Sequence, residues 1–281
     1  MQTALSRRKF IWGLPVVGLA AHTLAAQAPQ PEEVDKPFGW LGSAFFGRTV
    51  YERGTSDKVV VLLHELNGLS PGCIDLGVQL VDHGFRVFMP LLFGHPTQDS
   101  VSLGTIQSCL FGRFHCFAEG TQKHDTAPVD WTRNFVEHLC NEPTVRSIGV
   151  IGMCQSGSFP LAAMKSDSKV RGVVLSQPAL PMGDNRQKHV GIAQTTLESA
   201  KNSNISILAF RFRTDMLCSE DRFEYLETYF GKEQFHGHIF DCAGFHSTLT
   251  HRLHAVLTGP CGTAREQARS EVMTFFSEKL G

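Results

Sequence analysis

Apolar residues along the chain fall into two recurring patterns. Lys58 to Leu63 (Lys-Val-Val-Val-Leu-Leu) is a continuous apolar run bounded by turn residues, as expected of a strand buried on both faces. Phe85 to Pro90, Arg146 to Ile151, Val170 to Leu175, Asn204 to Phe212 and His238 to Asp241 repeat it, and Gly42 to Arg53 is early strand material. Between these runs the apolar spacing becomes helical: Ile74 to His83, stopped by Gly84; Val129 to Cys140; Ser219 to Phe230; and a closing helix near Ala264 to Leu280. The composition around Leu161 to Lys165 also favours helix. Repeated β-α-β alternation predicts an α/β fold, a mostly parallel, doubly wound sheet with helices on both faces. Two stretches, Phe93 to Pro128 and Leu180 to Asn202, hold no sustained period, and the first reads as a loop-rich excursion.

Composition narrows the picture without naming a function. With 281 residues, 42% hydrophobic and 19% charged, one large domain with a full core is expected. Lys and Arg number 26 against 27 Asp and Glu, so no basic field exists for a phosphate backbone and nucleic acid is a poor partner. Function has to come from a site.

The N-terminus stands apart. Ser6-Arg-Arg-Lys-Phe-Ile11 is a twin-arginine run, and Ile11 to Ala26 is largely apolar, without Asp, Glu, Lys or Arg. Small residues at Ala26-Gln27-Ala28 supply a cleavage point. Gly13, Pro15 and Gly18 interrupt the run, which is short for a span of roughly 20 residues. We therefore expect residues 1–28 to be an export signal, 29–57 a leader with early strands, and 58–281 the functional domain. Cleavage after Ala28 removes Arg7, Arg8 and Lys9 and no acid, taking the formal charge from −1 to −4. The mature protein is expected in a bacterial periplasm, without a stable membrane span. Eight cysteines without a Cys-x-x-Cys pair speak against redox and zinc-ribbon modules. In an oxidising compartment Cys109 and Cys116 are the most local disulfide candidates.

One turn places a nucleophile. Gly152-Met-Cys154-Gln155-Ser156-Gly157 follows a buried strand and precedes a segment read as helix, the context of a nucleophile elbow. A side chain there stands exposed at the strand's carboxyl end, near backbone N–H groups that favour a thiolate and an oxyanion. Taken alone, the six residues equally describe a small buried cysteine in an ordinary turn. Asp215 after the next-but-one strand and His246 in Ala243-Gly-Phe-His-Ser247 give the order nucleophile, acid, histidine that α/β-hydrolases use. In that scheme His246 takes the thiol proton and Asp215 fixes the imidazole tautomer.

With these elements the sequence resembles the dienelactone hydrolase family. Val61-Leu-Leu-His-Glu65-Leu-Asn-Gly-Leu69 is similar to that family's strand ending in a glutamate and a glycine, and Met89-Pro-Leu-Leu-Phe-Gly94 to its next strand exit. The elbow, the Asp and the Ala-Gly-x-His-Ser segment complete the likeness, which runs from about Lys58 to the C-terminus. The resemblance implies a single-domain α/β-hydrolase fold, a cysteine nucleophile, no cofactor, and a small ester or lactone as substrate. It also implies that Cys154, Asp215 and His246 form the triad, that Glu65 is the carboxylate beside the thiol, holding it inactive until substrate arrives, and that the backbone N–H groups of Leu66 and Gln155 form the oxyanion hole.

Several departures bear on this. Ser156 replaces a common small glycine, Pro160 interrupts the helix, and Phe245 shifts the register before the histidine, which leaves His251 and His254 as alternatives to His246. Family members that take dicarboxylate lactones use pocket arginines, for which Arg113 and Arg252 are in suitable segments. Cys109, His115, Cys116 and His124 fit no common zinc spacing, so no metal is expected. The competing class is a hydrolase fold that has lost catalysis and binds a ligand or partner. Oligomeric state is not legible.

Overall fold

A computed structural model describes residues 39–94, 96, 124–181, 190–242 and 254–281. They build an eight-stranded sheet in the order β1-β2-β4-β3-β5-β6-β7-β8. The early strand material is a hairpin, β1 (Leu41–Phe45) and β2 (Arg48–Arg53), turned at Phe46-Gly47, where both residues have positive φ as tight hairpins require. β2 runs antiparallel to β4 (Arg86–Pro90). From β4 onward the sheet is parallel through β3 (Lys58–Leu63), β5 (Ser147–Met153), β6 (Val170–Ser176), β7 (Ser206–Phe212) and β8 (Phe235–Phe240).

Alternating residues of β3 feed two cores. Val59, Val61 and Leu63 join one, with α2 (Ala127–Asn141), α3 (Gln194–Asn202) and α4 (Glu220–Phe230). Val60 and Leu62 face the other, with α1 (Pro71–Asp82) and α5 (Gly262–Leu280). This two-sided burial is why β3 reads as a continuous apolar run rather than an alternating one. Each fully buried leucine contributes about 1.5–3 kcal/mol. Ser70 caps α1 by accepting from the Cys73 N–H at 3.3 Å, with Pro71 at the first helical position. No described helix is long and apolar enough to cross a membrane.

The structure departs from the sequence reading in three places. Instead of a helix at Leu161–Lys165, the chain after β5 makes two short 3-10 segments, Cys154–Ser156 and Phe159–Ala163. Pro160 lacks the N–H an α-helix would use there, and Gly157 packs so close to Pro178 that a Cβ would lie 2.5 Å from its Cα. α3 falls inside a stretch read as irregular: it is nine residues long, mostly polar, and buries only Leu197 and Ala200. β8 starts three residues earlier than expected, its interior exposed and only Phe235 and Phe240 buried.

Candidate active site

The strand order reverses at β3, which pairs with β4 on one side and β5 on the other. In open parallel sheets the crevice beyond the carboxyl ends at such a reversal is where ligands bind. Glu65, Cys154, Gln177 and Asp215 follow β3, β5, β6 and β7 at that end.

Cys154 has φ +55°, a conformation that non-glycine residues rarely adopt. The surroundings enforce it. A side chain at Gly152 would collide with the Ser156 carbonyl oxygen and the Pro160 ring, so the turn closes only over glycine. The Cys154 carbonyl accepts from the N–H groups of Gly157 (3.0 Å) and Ala179 (2.9 Å). Ser156, the other hydroxyl or thiol of the elbow, is fully buried. Its oxygen accepts from the Met153 N–H at 3.1 Å and lies 3.1 and 2.9 Å from the carbonyls of Leu63 and His64, stitching the elbow to the end of β3. Cys154 remains half-buried, so it is the sulfur and not this hydroxyl that a substrate can reach.

His64 sets the neighbouring turn. Its Nε2 accepts from the Leu92 N–H at 2.8 Å, which makes Nδ1 the protonated nitrogen, donating to the Glu65 carbonyl at 2.6 Å. Burial holds this imidazole neutral, down to about 4, with the charge of Arg48 acting in the same direction. The Gly68 N–H also donates to the Glu65 carbonyl, at 3.0 Å. Because a trans peptide points its C=O and N–H in opposite directions, gripping the Glu65 carbonyl fixes the direction of the Leu66 N–H.

Asp215 is buried after β7. Its Oδ1 accepts from the N–H groups of Leu217 (2.9 Å) and Cys218 (3.0 Å), and its Oδ2 lies 2.7 Å from Nδ1 of His254. His254 is thus the described histidine joined to the acid. His246, the expected partner, and His251 lie outside the described residues, as do Arg113, Arg252, Cys109, His115 and Cys116. His254 Nε2 is buried without a well-aligned partner among the described residues. The group that acts on this ring is the Cys154 sulfur, through its charge and a hydrogen bond. Burial alone would depress this imidazole. The charge of Cys154, the hydrogen bonds to Asp215 and Cys154, and the charge of Asp215 outweigh it and raise the ring to about 10.

The Glu65 carboxylate accepts from Gln177 Nε2 and from Thr258 Oγ1, both at 2.8 Å. Thr258 lies four residues beyond His254, so this carboxylate ties the β3 loop to the segment that carries the histidine. A disulfide, Cys242–Cys261, closes that segment with a sequence separation of 19. Neither Gln177 nor this disulfide was singled out by sequence, since no motif marks them. Gln155 is buried, and both atoms of its amide lack partners among the described residues. No group of three or more metal-ligating side chains occurs among the described residues. Clefts of about 480 and 350 Å³ flank α5, one against α1 and the other against β7 and β8, and contain none of these site residues, so the chemistry and not cavity size locates the site.

Comparison with known proteins agrees with this architecture. The model of the dienelactone hydrolase family matches residues 46–280. No curated protein matches the sequence. Among solved structures, a Klebsiella pneumoniae protein named for the same family is similar at 14% identity and TM-score 0.57, covering 85% of this chain and 97% of its own. A dienelactone hydrolase-like promiscuous phosphotriesterase from metagenomic libraries is similar at 17% identity and TM-score 0.52, over 83% and 93%. A monoacylglycerol lipase from Paleococcus ferrophilus reaches 13% identity and TM-score 0.52, over 83% and 99%. These likenesses carry the fold, and the match across residues 46–280 carries the family: the chain belongs to the dienelactone hydrolases, a family of α/β-hydrolases acting on ester-type substrates.

Proposed function

We propose that the protein is a cysteine-nucleophile hydrolase of carboxylic esters, with small lactones as its substrate class, and that Cys154, His254 and Asp215 carry the reaction. The observation behind this reading is the 2.7 Å contact of His254 Nδ1 with Asp215, in a ring whose other side feels Cys154. The Cys154 thiolate attacks the carbonyl carbon, and the negative charge that gathers on the carbonyl oxygen meets the N–H groups of Leu66 and Gln155. As the C–O single bond breaks, imidazolium His254 gives its proton to the departing oxygen. Water then adds to the thioester with His254 accepting a proton, and collapse of the adduct releases the carboxylic acid and leaves the Cys154 thiolate beside imidazolium His254. Asp215 holds the imidazole in the required tautomer throughout. His254 takes the role assigned to His246 on sequence, because among the described residues it is the histidine that reaches Asp215.

The twin-arginine run supports export of the mature chain, and the Cys242–Cys261 disulfide suits an oxidising compartment such as a periplasm. Hydrolysis of p-nitrophenyl acetate and of a simple butenolide by the purified protein tests the chemistry. Cys154→Ala is expected to remove at least about 10³-fold of kcat/KM while leaving far-UV circular dichroism unchanged. Turnover that survives in this variant refutes the nucleophile, and a parent without turnover points to a binding protein.

A further inference from the structure

We propose that Gln177 is a positioning residue that couples the turn carrying the oxyanion donor to the segment carrying His254, so that nucleophile, oxyanion donor and base keep one register; this rests on the triad reading above. Gln177 directly follows β6 and is fully buried. Its φ of +37° lies in the left-handed region, where glycine would be the relaxed choice. A glutamine held there is kept for its side chain. The backbone is pinned on both sides, by the Gln177 N–H to the Phe210 carbonyl at 2.7 Å and by the Ala179 N–H to the Cys154 carbonyl at 2.9 Å. Buried Arg222 adds hydrogen bonds to the carbonyls of Pro178 (2.6 Å) and Pro181 (2.5 Å).

The amide uses both ends. Nε2 donates to Glu65 Oε1 at 2.8 Å, while Oε1 accepts from the Val256 N–H at 3.3 Å and from the Ser176 hydroxyl. The orientation is forced, since a flipped amide would set oxygen against carboxylate and NH₂ against N–H. Glu65 extends the bridge through Thr258. Two side chains in series therefore grip the main chain or side chain of residues two and four positions beyond His254. Glu65 belongs to the same turn as Leu66, whose N–H direction His64 and Gly68 already fix. Movement of the base segment is transmitted to the oxyanion turn through this amide as well as through the Glu65–Thr258 contact, and a shift of about 1 Å at such a site costs on the order of 10²-fold in rate.

The test uses the full-length protein and p-nitrophenyl acetate at several pH values, with Cys154→Ala as the control for the underlying triad. Gln177→Leu is expected to lower kcat about 10- to 100-fold with KM within about twofold, because substrate contacts are not removed. Gln177→Glu supplies the signature that a purely structural role lacks. It places two carboxyl groups together, which share a proton only at lower pH. Its kcat relative to parent should be low at pH 8 and rise as the pH falls, whereas the ratio for Gln177→Leu should stay flat. Parent-like kcat in Gln177→Leu, or a pH-independent ratio in Gln177→Glu, overturns the proposal. Should neither variant fold, Thr258→Val decides: a fall in kcat of about 3- to 10-fold at unchanged KM supports the bridge, and full kcat overturns it. Retained turnover in Cys154→Ala would instead refute the triad itself.

Discussion

On the side of the proposed nucleophile, Cys154, Ser156, His64 and Leu66 sit at the ends of two strands that are hydrogen-bonded neighbours, and short contacts such as Ser156 to the His64 carbonyl hold them. On the side of the proposed base, the contacts join residues far apart in sequence: His254 with Asp215 across 39 positions, Gln177 with Glu65 across 112, and Thr258 with Glu65 across 193. The first side is fixed by sheet register and by a turn that only glycine permits. The second is assembled from side-chain hydrogen bonds and a covalent tie. Such a construction predicts different failures among the supporting contacts: losing one that holds the Cys154 turn costs chiefly folding stability, and losing one that holds the His254 segment costs rate as well.

The largest effect should follow removal of the base. His254→Ala is expected to lower kcat/KM by about 10²–10⁴-fold, the usual contribution of a positioned acid–base group. His246→Ala should change it far less, and the reverse ranking would return the base to the residue that the Ala-Gly-x-His-Ser segment suggested. Next comes the covalent tie. Replacing Cys242 and Cys261 by serine should lower stability by about 2–4 kcal/mol, read from urea unfolding, since the closed loop no longer restricts the unfolded chain. The disulfide pins the end of the histidine segment, so kcat of the still-folded variant should fall as well. Unchanged kcat would show that hydrogen bonds alone hold the segment.

The same contrast explains what was legible in the sequence. β3 announced itself because two-sided burial leaves an uninterrupted apolar run, and Cys154 because Gly152 and Gly157 are sterically obligatory within four residues of it. Asp215 was found because it stands just beyond a buried strand. His254 was not preferred, since one histidine among thirteen carries no local mark and a nearby segment matched the family pattern better. Gln177 left no trace, because its role depends on Glu65 and Val256, and no spacing relates the three. α3 was missed for a different reason: it is only nine residues long, mostly polar, and buries just Leu197 and Ala200, too short a run to stand out from the irregular stretch around it.

A smaller effect tests the nucleophile side. Ser156→Ala leaves the carbonyls of Leu63 and His64 and the Met153 N–H short of a buried partner, at a cost of about 1–3 kcal/mol. Stability measured by urea titration should fall by that amount, whereas kcat per folded molecule should stay within about tenfold of parent. Complete loss of activity in a folded Ser156→Ala protein would mean that the hydroxyl takes part in the reaction.

The finest distinction lies in the pH dependence of His254. Its folded-state value, about 10, is above the ordinary 6.5, despite burial, because Cys154 and Asp215 favour the charged ring. A raised imidazole binds its proton more tightly in the folded state, so its contribution to stability is fully present below about 6.5 and is lost as the pH rises through about 10. Catalysis follows the same proton, because the imidazolium must deliver it to the leaving oxygen. The kcat/KM profile should therefore hold through neutral pH and decline on an alkaline limb near 10. Asp215→Asn withdraws the Asp215 charge and alters its hydrogen bond, so the limb should move to lower pH while the Cys154 contribution remains. An alkaline limb near neutrality in the parent protein would show that the ring does not share its charge with Cys154, and the resting pair would then be a neutral imidazole beside a thiol.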